Sequence, residues 1–151
     1  MESQEVKIEE TLNTLLILNN DAFEGYSKAA QKVNNLELSL LFEDRSKERQ
    51  QFCDQIKEEI KSAKLTIDDG GSVAGGLHRV WMELKAILLT DEDLMLIKEI
   101  EKGELEAVKL YENFLDTPIN ITMSTKILMR EQLKQIKNDL LEIQSLRKER
   151  N

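Results

Sequence analysis

Apolar positions recur at alternating steps of three and four along four long stretches of this chain. That spacing puts them on one side of an α-helix. The first stretch, residues 6–33, carries Ile8, Leu12, Leu15, Ala22, Tyr26, Ala29 and Val33, with one gap at residue 19. Asn34-Asn35 then turns the chain. The second, residues 36–63, carries Leu38, Leu41, Phe42, Phe52, Ile56 and Ile60. The third, residues 91–116, follows Thr90 as an N-cap, opens on the acidic turn Asp91-Glu92-Asp93, and carries Leu94, Ile97, Ile100, Ala107, Tyr111 and Phe114. The fourth, residues 118–148, is expected to open with Thr117 as N-cap and Pro118 at its first helical position. It carries Leu128, Ile136, Leu140, Ile143 and Leu146, and ends among Arg147, Lys148 and Arg150, where the helix dipole favours cations.

The links after the first and third stretches are short, and the link after the second is long. It spans residues 64–90, holds four of the six glycines between Gly70 and Gly76, and carries a short amphipathic helix over residues 77–89 with Leu77, Trp81, Leu84 and Leu88 on one side. Short links join antiparallel neighbours, and a long link lets the chain cross a bundle from end to end. The pattern therefore predicts an all-α protein, a single domain over residues 1–151. The expected architecture is a ferritin-like four-helix bundle with one long crossover. A simple up-down-up-down bundle is the alternative.

Polar residues interrupt every stripe near its middle. They are Asn19 in the first helix, Arg45, Glu48 and Arg49 in the second, Glu104 in the third, and Gln132 with Gln135 one turn on in the fourth. Charges on a buried face are costly unless they are paired or bind a metal. Arg45 and Arg49 lie within one turn of Glu48, so either is a candidate partner for the glutamates. Helices one and three also match each other. Asn19 precedes Tyr26 by seven residues with Ala22 between, and Glu104 precedes Tyr111 by seven with Ala107 between. The chain thus reads as two related helical hairpins.

Carboxylate-bridged di-iron bundles use a Glu from each of two helices and a Glu-x-x-His from each of the other two. The counterparts here are Asn19, Glu48-x-x-Gln51, Glu104 and Gln132-x-x-Gln135. Only Glu48 and Glu104 keep a carboxylate, and Gln stands at both imidazole positions. Amides are poor iron ligands, so the spacing reads as a degenerate metal site with Glu48 and Glu104 as its remaining candidates. Three segments carry a more specific resemblance: residues 20–30 (Asn-Asp-Ala-Phe-Glu-Gly-Tyr-Ser-Lys-Ala-Ala), Leu41-Phe42, and residues 76–85 (Gly-Leu-His-Arg-Val-Trp-Met-Glu-Leu-Lys). Gly103-Glu104 with Tyr111 continues the match. The chain resembles the bacterial domain-of-unknown-function 2383 family of ferritin-like bundles, over nearly its whole length. The resemblance implies the fold and no particular activity.

Composition narrows the function classes. A single Cys53 and a single His78 exclude an intramolecular disulfide and a Cys/His zinc cluster, and a reducing compartment suits the lone thiol. The acidic opening Met1-Glu2-Ser3-Gln4-Glu5 lacks the basic and apolar pattern of a secretory signal, and the expected location is the cytoplasm. No apolar run approaches the ~20 residues that span a bilayer, so no membrane partner is expected. A net charge of −8 disfavours nucleic acid. His78, Arg79 and Trp81 read as an anchor for the crossover helix, and the glycine-rich stretch matches no phosphate-binding pattern. Tyr26 and Tyr111 are expected to bond to the core carboxylates, and Met123 and Met129 to fill the core. The leading functional expectation is a non-enzymatic bundle protein, without cofactor, that acts by association with a protein partner or as a homodimer. A residual iron- or manganese-binding oxidase-like protein and a binder of a small apolar ligand are the alternatives.

Overall fold

The computed structural model describes residues 4–68, 92–118 and 120–150. It forms four helices, α1 (Gln4–Lys32), α2 (Leu36–Ser62), α3 (Asp93–Asp116) and α4 (Met123–Arg150), with no strand among the described residues. The glycine-rich stretch, the expected helix at 77–89, the anchor His78, Arg79 and Trp81, and the expected cap Thr90 all lie outside the described residues.

Side-chain contacts give the helix directions. Ser39 Oγ donates to Ala30 O and Ser46 Oγ to Phe23 O, so α2 descends along α1. Lys137 pairs with Glu112 and Arg147 with Glu101, so α4 is antiparallel to α3. Thr125 bonds to Glu59 and Arg45 to Glu142, so α4 is also antiparallel to α2. It follows that α2 and α3 point the same way. The end of α2 and the start of α3 lie at opposite ends of the bundle, which excludes the up-down-up-down alternative.

Local chemistry explains the helix ends. Asn35 caps α2, its Oδ1 accepting from Leu38 N–H at 3.0 Å. At the other end of α2, Lys64 takes a left-handed conformation (φ 58°), with Lys64 N–H bonded to Lys61 O at 3.0 Å and Leu65 N–H to Ile60 O at 2.9 Å. This is a Schellman stop, completed by Leu65 and Ile60 joining the same apolar cluster. Glycine is the residue best suited to that φ. Lys64→Gly is therefore expected to stabilise the fold by about 1 kcal/mol in urea unfolding. A destabilised variant would show that the lysine side chain contributes more than its backbone costs.

The fourth helix begins five residues later than the sequence predicts, at Met123 in place of Pro118. A residue before proline is pushed into extended backbone, and Thr117 sits at ψ 137° with its N–H and hydroxyl both bonded to Asn113 O. Thr117-Pro118 thus ends α3. Thr122 starts α4, its hydroxyl accepting from Thr125 N–H at 3.2 Å. Glu92 stands at the N-cap of α3 without a side-chain cap bond.

The core falls into two apolar clusters. One gathers Leu12, Leu15, Phe52, Ile56, Tyr111, Leu133 and Ile136, and the other Ala22, Tyr26, Phe42, Ile97, Ile100 and Ile143. Residues 11–19 of α1 are all buried, so this helix is enclosed on every side, not along one stripe. The run Leu15-Leu16-Ile17-Leu18 already carried that information, because a helix apolar all round is a buried one. Buried Asn13 stitches the chain that leaves α2 onto α1. Its Nδ2 donates to Thr66 O at 2.8 Å, and its Oδ1 accepts from Asp68 N–H at 2.7 Å. Met129 is in the core, but Met123 is exposed at the first position of α4.

Candidate functional site

Between the two apolar clusters lies a polar layer. Arg49 of α2 is fully buried and donates to both oxygens of Glu104 on α3, Nη1 to Oε1 at 2.8 Å and Nη2 to Oε2 at 2.5 Å. The same Nη2 reaches Asp139 Oδ2 on α4 at 3.3 Å. The guanidinium carbon stands 5.8 Å from the ring centroids of both Tyr26 and Phe52, so its faces meet π-electrons while its edges meet carboxylates. Burial opposes the Arg49 charge, but Glu104, Tyr26 and Asp139 together more than offset this and hold the guanidinium firmly protonated. Burial pushes the Glu104 carboxyl above its ordinary range and Arg49 pulls it back. A guanidinium that donates to both oxygens requires the carboxylate form. The Tyr26 hydroxyl is turned to Glu104, and burial followed by that negative charge raises its pKa well above the usual phenol range.

A second chain of bonds crosses the core beside the first. Asn19 Nδ2 donates to Leu15 O at 2.8 Å and to Tyr111 Oη at 2.9 Å. Tyr111 Oη donates to Gln132 Oε1 at 2.6 Å, and Gln132 Nε2 donates to Gln55 Oε1 at 3.0 Å. Burial raises the Tyr111 pKa, so its hydroxyl stays a donor. At the rim, Arg45 donates Nη1 to Glu48 Oε2 at 3.3 Å and Nη2 to Glu142 Oε1 at 2.7 Å, and its Nε forms an ion pair with Asp139 Oδ1 at 3.0 Å.

The structure therefore brings Asn19, Tyr26, Arg49, Glu104, Tyr111 and Gln132 into the buried interior, with Arg45 and Glu48 half-buried at its edge. Two residues expected in the layer are not there. Gln51 is exposed, and Gln135 is exposed with its amide donating to Asp139 Oδ1 at 3.2 Å. Neither lies on the steps of three and four that join the buried positions of its helix, Phe52, Ile56 and Ile60 in α2 and Gln132, Ile136, Asp139 and Ile143 in α4. Asp139 is the residue that sequence reasoning missed. It is fully buried, and it continues the steps of four and three through Gln132, Ile136 and Ile143, a position assigned above to half-buried Leu140. Gln55 was missed as well, because an exposed residue on α2 gives no stripe signal.

The donor set does not fit a di-metal centre. Both Glu104 oxygens are taken by Arg49, Gln132 Oε1 is taken by Tyr111, and Gln51 and Gln135 point elsewhere. Among the described residues no group of three or more His, Cys, Asp or Glu is placed to hold a metal ion. Cys53 is buried beside Leu16 O, and burial pushes its thiol up to about 11, away from a reactive thiolate. No helix among the described residues is long and apolar enough to cross a membrane.

The family model described as a domain of unknown function (DUF2383) matches residues 7–117. The chain belongs to the DUF2383 family. No curated protein and no solved structure matches it. The DUF2383 match covers α1 from Lys7, α2 and α3 and ends at Thr117, so the α4 part of the polar layer, Gln132 and Asp139, lies beyond it.

Proposed function

We propose that this DUF2383 protein is a non-enzymatic, cytoplasmic helical bundle that acts by association with protein, as a homodimer in the simplest case. Its ferritin-like connectivity frames a degenerate metal layer whose role is to set helix register. The observation that carries this reading is the bidentate grip of Arg49 on Glu104. It consumes, with a resident cation, the carboxylate on which a metal would depend. Buried ionic groups that fix register are the best-attested use of such a layer. Association would then rest on the outside of the bundle. Leu36 and Leu40 stand one turn apart on α2 and remain exposed, as do Met123 and Ile127 on α4. A buried free thiol suits a reducing compartment. The small-ligand alternative has less support. A groove of about 520 Å³ lies outside the core between α1 and α2, and its lining mixes Phe23 and Ala30 with Ser27, Ser39, Glu43 and Lys47.

Two measurements test the reading. Elemental analysis of protein purified without chelators, repeated after anaerobic ferrous loading and desalting, is expected to find no stoichiometric metal. Iron or manganese near one per chain, lost in Glu104→Ala, would overturn the non-enzymatic assignment. Sedimentation equilibrium is expected to find a dimer that Leu36→Glu with Leu40→Glu dissociates. A monomer that captures no partner in cells would remove the association reading.

A further inference from the structure

The seam between α2 and α4 is bonded along its length by polar side chains. Glu59 meets Ser124 and Thr125 at one end, Gln55 meets Gln132 in the middle, and Arg45 and Arg49 meet Asp139 and Glu142 beyond. In that last group the charges do not balance. Glu48 from α2, Asp139 and Glu142 from α4, and Glu104 from α3 face two guanidiniums, while Tyr26 of α1 closes the far side against Glu104. Glu48 and Asp139 lie on the same guanidinium, that of Arg45. Glu48 Oε1 is buried and receives no donor among the described residues. Glu48 also stands within hydrogen-bonding reach of Asp139, so with both carboxylates charged that contact is repulsive. With a proton Glu48 becomes a donor and Asp139 an acceptor.

We propose that Glu48 keeps a proton that it donates in a hydrogen bond to Asp139 across the α2–α4 seam, and that losing it loosens the joint between the two hairpins. The device is a pH-sensitive latch. Glu48 is half-buried, so its proton exchanges with solvent while the bundle stays folded. Burial, followed by the nearness of Asp139, raises the Glu48 carboxyl to about 8. The folded chain thus binds this proton more tightly than the unfolded chain. Stability must fall as pH rises from the ordinary carboxyl value of 4.5 through about 8, and level off above it.

Carboxyl-carbon NMR on the intact protein, with thermal melts across the same pH range, tests the latch. The Glu48 resonance is expected to titrate near 8, with backbone amides of α4 around Asp139 moving at the same midpoint. Glu48→Gln keeps an N–H for Asp139 and cannot titrate. It should lose the Glu48 part of the decline and melt above the natural protein beyond about pH 8. A Glu48 midpoint in the ordinary carboxylate range, or a Gln variant whose melting curve parallels the natural one at every pH, would overturn the proposal. Should the variant fail to fold, the titration in the natural chain decides alone.

Discussion

Arg49→Met is expected to lower the stability of the bundle by about 3–5 kcal/mol, the cost of leaving a buried carboxylate without its partner. Glu104 has no access to water and receives two of its hydrogen bonds from this one guanidinium. Asp139 loses a contact as well but keeps Arg45. Total stabilities of domains this size are about 5–15 kcal/mol, so the loss would dominate the unfolding curve. Arg49→Lys should recover only part of it, because an ammonium cannot donate to two carboxylate oxygens in a plane. The double variant Arg49→Met with Glu104→Leu should recover most of it, since it removes both charges together. Urea unfolding of the three variants reads out the cycle. Equal losses in Arg49→Met and in the double variant would mean that packing, not charge, explains the effect, and would remove the ionic layer from the account of this fold.

Tyr111→Phe is expected to cost about 1–3 kcal/mol without changing the helix content. The hydroxyl is the middle link between α1 and α4, accepting from Asn19 and donating to Gln132. Its removal strips the buried Gln132 Oε1 of this donor, while Asn19 Nδ2 still has Leu15 O. The phenyl ring fills the same space, so the loss reports the hydrogen bonds and not a cavity. Gln132→Leu in the same background removes the orphaned acceptor, so any further cost reports the amide's bonds to Phe52 O and Gln55 Oε1. A Tyr111→Phe variant within about 0.5 kcal/mol of the natural protein would show that the chain of amides and hydroxyl contributes no net stability.

Both predictions concern residues whose inward placement was legible in the sequence. Asn19, Arg49, Glu104, Tyr111 and Gln132 each fall on an apolar stripe, and a polar residue there has to be buried with a partner. The same reasoning failed at Gln51 and Gln135, which entered through a motif spacing and not through the stripe. It failed at Asp139 because a helix of 3.6 residues per turn allows either a step of three or a step of four, and Leu140 is the more apolar choice. At Thr117-Pro118 one dipeptide is compatible with stopping a helix or starting one. The extended backbone that proline imposes on Thr117 settled the matter in favour of the stop.

The sequence by itself determined the four helices, the main apolar stripe of each, and the presence of a polar layer halfway along them. Those properties follow from local periodicity, which depends only on residues a few positions apart. The tertiary structure alone decided which charges meet. Arg49 finds Glu104 across 55 residues and Asp139 across 90. The axial offset and rotation of α3 and α4 against α2 select these partners, and those are set by packing over the whole core, which no short window of sequence contains.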